Sequence, residues 1–213
     1  MKKRRLGSTE IEVSPIGLGT WQFSKGRGLI GGFWRSLDEG ETRAVVKAAL
    51  DGGIDWFDTA EVYGRGDSER SLAKALSEIA AKPGSFRVAT KWWPMLRSSR
   101  NIGKTIGERL ACLAPWPIDL YQIHQPFSLS SVPRQLGAMA DLVEAGMVKA
   151  RGVTRSQVAL NWLINFWGET VVAIPGASRP AQATAAAGAM SFDLSSEELA
   201  SLDRLSREAT NMA

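Results

Sequence analysis

Three polar residues close three successive apolar runs at one fixed interval. Asp58 ends Trp56-Phe57, Lys91 ends the run from Phe86 to Thr90, and His124 ends the run from Ile118 to Ile123. From Asp58 to Lys91 is 33 residues, and from Lys91 to His124 is 33 again. Amphipathic stretches fill the intervals. Leu72, Ala75, Leu76 and Ile79 recur at i, i+3, i+4 and i+7, and Ile102, Ile106, Leu110 and Leu113 make a second helical stripe. The same alternation extends both ways. Ile16-Gly17-Leu18-Gly19 is a strand candidate, and 41–50 reads as a helix stopped by Gly52-Gly53. Leu136, Met139, Ala140 and Val143 mark a helix closed by Gly146, ahead of a strand at 147–153. Repeated strand–helix units build a parallel sheet with helices packed outside it. In a closed βα barrel, polar residues that end strands lie on the C-terminal rim, where catalytic groups collect. Each of the three taken alone also has a bland reading, as a solvated strand end or a hydrogen-bonded core residue. Equal spacing in one structural slot favours a site.

Composition narrows the classes. Cys112 is the single cysteine, so no disulfide forms within the chain, and a reducing compartment fits. No run of 18 apolar residues occurs, which argues against a membrane span. Met1-Lys2-Lys3-Arg4-Arg5 leads into Leu6-Gly7-Ser8-Thr9-Glu10 rather than an apolar signal core, so a cytoplasmic protein is expected. The net charge of +4 is spread through the chain. It suits an anionic small molecule and gives no sign of nucleic acid binding. One His and one Cys give a metal site no support. The 213 residues imply one domain, 1–213, and fall short of the roughly 250 typical of an eight-stranded barrel.

The rim residues suit one chemistry. Tyr63 follows Asp58 by five residues in Asp58-Thr59-Ala60-Glu61-Val62-Tyr63-Gly64. A phenol titrates near pH 10, so it is ordinarily a poor acid at neutral pH. A neighbouring Lys ammonium is expected to favour the phenolate and lower that value. Asp58 would hold Lys91 charged, and His124 would donate a hydrogen bond to a substrate carbonyl. The set fits carbonyl reduction, with Tyr63 giving the proton and a bound cofactor giving a hydride.

These segments resemble the aldo-keto reductases. The matching stretches are Leu6-Gly7 with 16–21, 56–64, Ser68-Glu69, Ala89-Thr90-Lys91, 119–124, 142–146 through Gly152-Val153, 157–162, and Ile174-Pro175-Gly176-Ala177. The resemblance implies an α/β fold, a (β/α)8 TIM barrel opened by a small hairpin within 1–15 that caps the barrel floor. It implies an NADPH-dependent oxidoreductase that reduces aldehyde or ketone carbonyls of small molecules. Asp58, Tyr63, Lys91 and His124 become its catalytic tetrad, with Tyr63 as the acid. It sets Gly19, Thr20 and Trp21 near the nicotinamide of NADPH/NADP and Asp58 at its ribose. Gly176, Ala177 and Ser178 would offer donors to phosphate, Arg179 would face the 2′-phosphate, and Gln182 would sit by the adenine. An Arg–phosphate contact favours NADP(H) over NAD(H). Ala185-Ala186 stand where the family usually has Glu-Asn.

One stretch departs from the family. After Gly152-Val153 the pattern expects the end of the fifth strand, then sixth and seventh strands with their helices. The chain instead enters Thr154-Arg155-Ser156-Gln157, a capping box, and a helix bearing Val158, Ala159, Trp162, Leu163 and Phe166. That helix would precede the eighth strand, 171–175. Against the family pattern, strands 6 and 7 are lacking at the Val153/Thr154 junction. A shortened chain, a segment left out of the sequence, and a recombination at similar sites all fit. A truncated barrel would hold a dinucleotide or a partner without turnover. Substrate choice lies with rim loops such as 23–40 and Trp92-Trp93-Pro94-Met95, and oligomeric state is open.

Overall fold

The computed structural model describes residues 2–6, 11–27, 35–93, 97, 100–124, 164 and 171–211. The Val153/Thr154 junction, the helix through 136–143, the strand at 147–153 and the Thr154–Gln157 capping box lie outside the described residues.

The elements are β1 (Arg4–Arg5), β2 (Glu12–Val13), β3 (Leu18–Gly19), a 3-10 turn (Trp21–Phe23), α1 (Glu39–Asp51), β4 (Trp56–Asp58), α2 (Asp67–Glu78), β5 (Arg87–Trp92), α3 (Arg100–Leu113), β6 (Leu120–Ile123), α4 (Pro180–Gly188) and α5 (Ser196–Asn211). β3, β4, β5 and β6 pair in that order, all parallel. Parallel bridges from Ile16 to Ala173 and from Gly19 to Gly176 bring the late segment against the free side of β3. β3 therefore lies between β4 and a stretch some 150 residues later, the neighbour relation by which a barrel wall closes. The expected strand at 171–175 is reduced to these two bridges.

Register explains why the polar residues share one face. Asp58 lies opposite Ala89, and Lys91 stands two residues further along β5, on the same face. Gln122 is opposite Lys91. Lys91 does not end its strand as expected. Its backbone and that of Trp92 are paired with β6, so β5 runs one residue beyond it.

The helices cover the other face. Asp38 caps α1 in a reciprocal box: its carboxylate accepts the Glu41 N–H at 2.7 Å, and Glu41 accepts the Asp38 N–H at 3.0 Å. This cap starts the helix two residues before Glu41. Val45, Val46 and Ala49 of α1, Leu72 and Leu76 of α2, and Leu113 of α3 are buried with Ile16, Leu18, Phe57 and Val88 from the strands. Each such side chain contributes about 1.5–3 kcal/mol on burial. The ring of Phe86 meets Phe57 at 5.9 Å and Trp116 at 5.2 Å, both edge-on. α4 approaches α1 through Ala183, Ala186 and Ala187. The approach is tight, since a Cβ on Gly52 would lie 2.5 Å from the Ala187 Cβ. A Ser195–Glu198 capping box opens α5, with the Ser195 N–H donating to the Glu198 carboxylate at 2.7 Å.

The hairpin β1–β2 sits at the opposite end from the strand tips. Asp55, just before β4, accepts from the Ser14 N–H at 2.6 Å and pairs with Lys3 at 2.8 Å. The Trp56 indole donates to the Ser14 carbonyl at 3.1 Å. Arg4 donates to the carbonyl of Val171. The hairpin is thereby tied to the N-terminal ends of the strands, leaving their C-terminal ends for chemistry.

Candidate active site

Lys91 and Asp58 form a buried ion pair at the C-terminal strand ends. The ammonium donates to the Asp58 carboxylate and to the Thr59 carbonyl, the latter at 2.9 Å. Gln122 donates to the other Asp58 oxygen at 3.2 Å. Burial pushes the Asp58 carboxyl up against the opposing pull of Lys91, and pushes Lys91 down against the pull of Asp58. Each partner therefore holds the other charged in a site that would otherwise neutralise it.

A tight turn brings in Tyr63. The Thr59 N–H donates to the Ala89 carbonyl at 2.9 Å and the Glu61 N–H to the Lys91 carbonyl at 3.2 Å, lashing the loop to β5. Tyr63 then closes a turn on Ala60 at 3.1 Å. Gly64 follows with φ +68, and a Cβ there would lie 2.4 Å from the Ser24 carbonyl oxygen, so only glycine fits. The Tyr63 ring stacks on Trp21 with centroids 5.9 Å apart, and His124 meets it edge-on at 5.5 Å. Lys91 Nζ lies 5.1 Å from the ring centroid. The expectation of a lowered phenol is overturned. Burial and the Asp58 carboxylate raise its pKa, so Tyr63 is a neutral, protonated phenol.

His124 follows β6, held by its N–H on the Trp92 carbonyl at 2.9 Å. Trp93 covers it edge-on at 5.2 Å. Burial, helped by the Lys91 charge, pushes the imidazole down to about 4, so it is neutral at physiological pH. Among the described residues its Nδ1 has no hydrogen-bond partner. Tyr63, Lys91, Asp58 and His124 thus meet at one place.

Beside them runs a groove of about 150 Å³ lined by Gly19, Thr20, Trp21, Gln22, Asp58, Tyr63, Ile174 and Gly176. Gly176 forms its floor at close quarters, since a Cβ there would lie 2.4 Å from the Gln22 amide. The Thr20 hydroxyl is committed to the fold, donating to the Asp58 carbonyl at 3.1 Å and lying 2.9 Å from Ser68 Oγ. Ala177 is buried and Arg179 is exposed just before Pro180 opens α4. Gln182 caps the start of α4. Its amide oxygen accepts the N–H groups of Ser178 at 2.8 Å and Arg179 at 3.1 Å, the orphan donors of the helix start. Ala186 packs inward on α1's side of α4.

Comparison with known proteins identifies the group. Residues 15–158 match the Aldo/keto reductase family model. The chain belongs to the aldo/keto reductase family. It is 33% identical over 166 residues to aldo-keto reductase YhdN of Bacillus subtilis, covering 74% of this chain and 48% of that one. It is 35% identical over 184 residues to 6-dehydroglucose reductase of Novosphingobium aromaticivorans, covering 78% and 56%. The chain therefore spans about half the length of the curated relatives it matches. The fold is that of an aldo-keto reductase from Klebsiella pneumoniae solved in complex with NADPH, at TM-score 0.71 and 21% identity over 96% of this chain and 95% of that one. The thermostable aldo-keto reductase Tm1743 superposes at TM-score 0.73 with 22% identity, covering 96% and 100%. The described strands are thus a section of the aldo-keto reductase (β/α)8 barrel.

Two further residues of the chain contribute to this arrangement. Gln122 shares a strand face with His124 two residues on, a signal that period-2 alternation offers from sequence. Gln22 underlies Gly176, and only the fold brings these together. Among the described residues no group of His, Cys, Asp and Glu is arranged to hold a metal, and no helix is long and apolar enough to cross a membrane.

Proposed function

We propose that this chain reduces the carbonyl group of a small aldehyde or ketone with NADPH. The observation that carries the reading is the convergence of a protonated phenol, a charged lysine and a neutral imidazole beside a glycine-lined groove.

The residues present fit a dinucleotide. Gly19 and Gly176 leave the groove open where side chains would fill it, and Gly176 has no room for a Cβ. Gly176, Ala177, Ser178 and Arg179 lead into the N-terminus of α4, whose positive dipole end favours an anion. Arg179 supplies a guanidinium for the phosphate that distinguishes NADP from NAD. NADPH supplies a hydride when bound. The Klebsiella relative's complex with NADPH supports the choice of cofactor.

Tyr63 gives its proton to the carbonyl oxygen as that oxygen gains negative charge. A buried, neutral phenol keeps the proton until a stronger base appears beside it. The Lys91 ammonium then lies close to the phenolate that remains and stabilises it. Asp58 keeps that ammonium charged, with Gln122 satisfying its second oxygen. Neutral His124 offers a ring N–H to the same carbonyl oxygen and fixes its direction. Trp21 and Trp93 exclude water from the two rings. The test is consumption of NADPH by the purified chain with a simple aldehyde. Alcohol formed in equal amount supports the reading, and cofactor binding without consumption overturns it.

A further inference from the structure

We propose that Glu61 is a positioning residue, setting the Tyr63 phenol against the Lys91 ammonium; the inference rests on reading Tyr63 as the proton donor. Glu61 is 7% exposed, and no role in the chemistry accounts for a carboxylate there. It is tied to β5 and to its own turn. Its N–H donates to the carbonyl of Lys91 itself at 3.2 Å, and its carbonyl accepts the Gly66 N–H at 3.0 Å, closing the turn that carries Tyr63. Its carboxylate accepts the Trp93 N–H at 2.5 Å and Arg97 at 2.7 Å. Trp93 is the residue whose indole covers His124. One side chain therefore joins the turn bearing the acid to the chain leaving β5, between Lys91 and the cover of His124.

Glu61 faces a cavity of about 350 Å³, also lined by Val62, Arg65, Trp93, Arg97, Glu108 and Arg109. Backbone hydrogen bonds to β5 hold the base of the turn, and the carboxylate adds the link to Trp93 and Arg97. Tyr63, two residues further along the turn, lines the separate groove instead. Arg109, 2% exposed, lies 3.9 Å from the second Glu61 oxygen but is anchored to Glu69 at 3.1 Å. The Glu61 carboxylate is consequently aimed at Trp93 and Arg97 rather than required by Arg109. Reach, more than charge, is what the turn needs.

Two substitutions separate reach from charge. Glu61→Asp keeps the charge and shortens the arm by one methylene, and Glu61→Gln keeps the arm and removes the charge. Displacing a reacting group by a fraction of an ångström costs on the order of tenfold in kcat. Glu61→Asp is expected to lose about that much with KM for NADPH unchanged, and Glu61→Gln to stay within about threefold. A second readout needs no turnover. The chain has two tyrosines, so a Tyr121→Phe background leaves Tyr63 as the only phenol to titrate by its ultraviolet absorbance. In that background Tyr63 stays protonated well above pH 10, and adding Glu61→Asp brings its titration back toward the ordinary value near 10 as water enters. Wild-type kcat and wild-type titration in Glu61→Asp would overturn the proposal. So would an equal loss in both variants, which would make charge the cause. If the unsubstituted chain shows no turnover, the functional reading fails, while the titration still decides the positioning.

Discussion

The Lys91 ammonium lies 5.1 Å from the centroid of the Tyr63 ring, while its two hydrogen bonds run to Asp58 and the Thr59 carbonyl. The lysine is thus anchored by Asp58 and the Thr59 carbonyl, and on the proposed reading its charge acts on the phenol through space. That division lets the phenol stay protonated at rest, since burial and Asp58 both oppose its ionisation. It also places a cation ready for the anion formed after the proton leaves.

Asp58→Asn should therefore damage stability as well as chemistry. Both members of the pair are buried, at 8% and 12% side-chain exposure. Removing one carboxylate strands a buried ammonium, which costs about 3 kcal/mol. Lys91, already pushed down by burial, would lose the interaction that holds it up. Guanidinium unfolding at neutral pH checks this, with an unchanged midpoint as the contrary result.

His124 predicts a pH dependence of stability. Its folded value is about 4, against about 6.5 for an exposed imidazole. Between those values the unfolded chain binds the extra proton, so His124 makes stability rise with pH. Its contribution is fully present above about 6.5 and is lost as pH falls toward 4. The stability difference between the unsubstituted chain and His124→Gln, followed by thermal melting, should change across that window and be flat above it. A difference independent of pH would show that His124 is not held neutral.

Arg179→Ala should raise KM for NADPH by about tenfold, the worth of one charge-assisted contact, and leave KM for NADH unchanged. Equal changes for both cofactors would assign Arg179 to the helix start rather than to the 2′-phosphate.

Much of this site was legible because strand ends and helical stripes leave periodic marks. Asp58, Lys91 and His124 announce themselves by a shared interval, and Tyr63 by its motif. What stayed hidden depends on register and orientation. The reach of Gln122 to Asp58 follows from β6 pairing with β5 at one offset, which no local pattern encodes. The direction of the Tyr63 shift turned on burial and the Asp58 carboxylate, which both raise it. The cap that Gln182 gives the N–H groups of Ser178 and Arg179 depends on the local backbone, which no sequence pattern marked. The family model's match ends at residue 158, close to the Val153/Thr154 junction at which the family pattern breaks off in sequence.

The most direct measurement is kcat/KM for NADPH-dependent aldehyde reduction by Tyr63→Phe, alongside cofactor binding by the same protein. Loss of the phenolic proton should lower kcat/KM by about 10²–10⁴-fold while NADPH binds as before. A Tyr63→Phe protein that reduces the aldehyde at the unsubstituted rate would contradict the account.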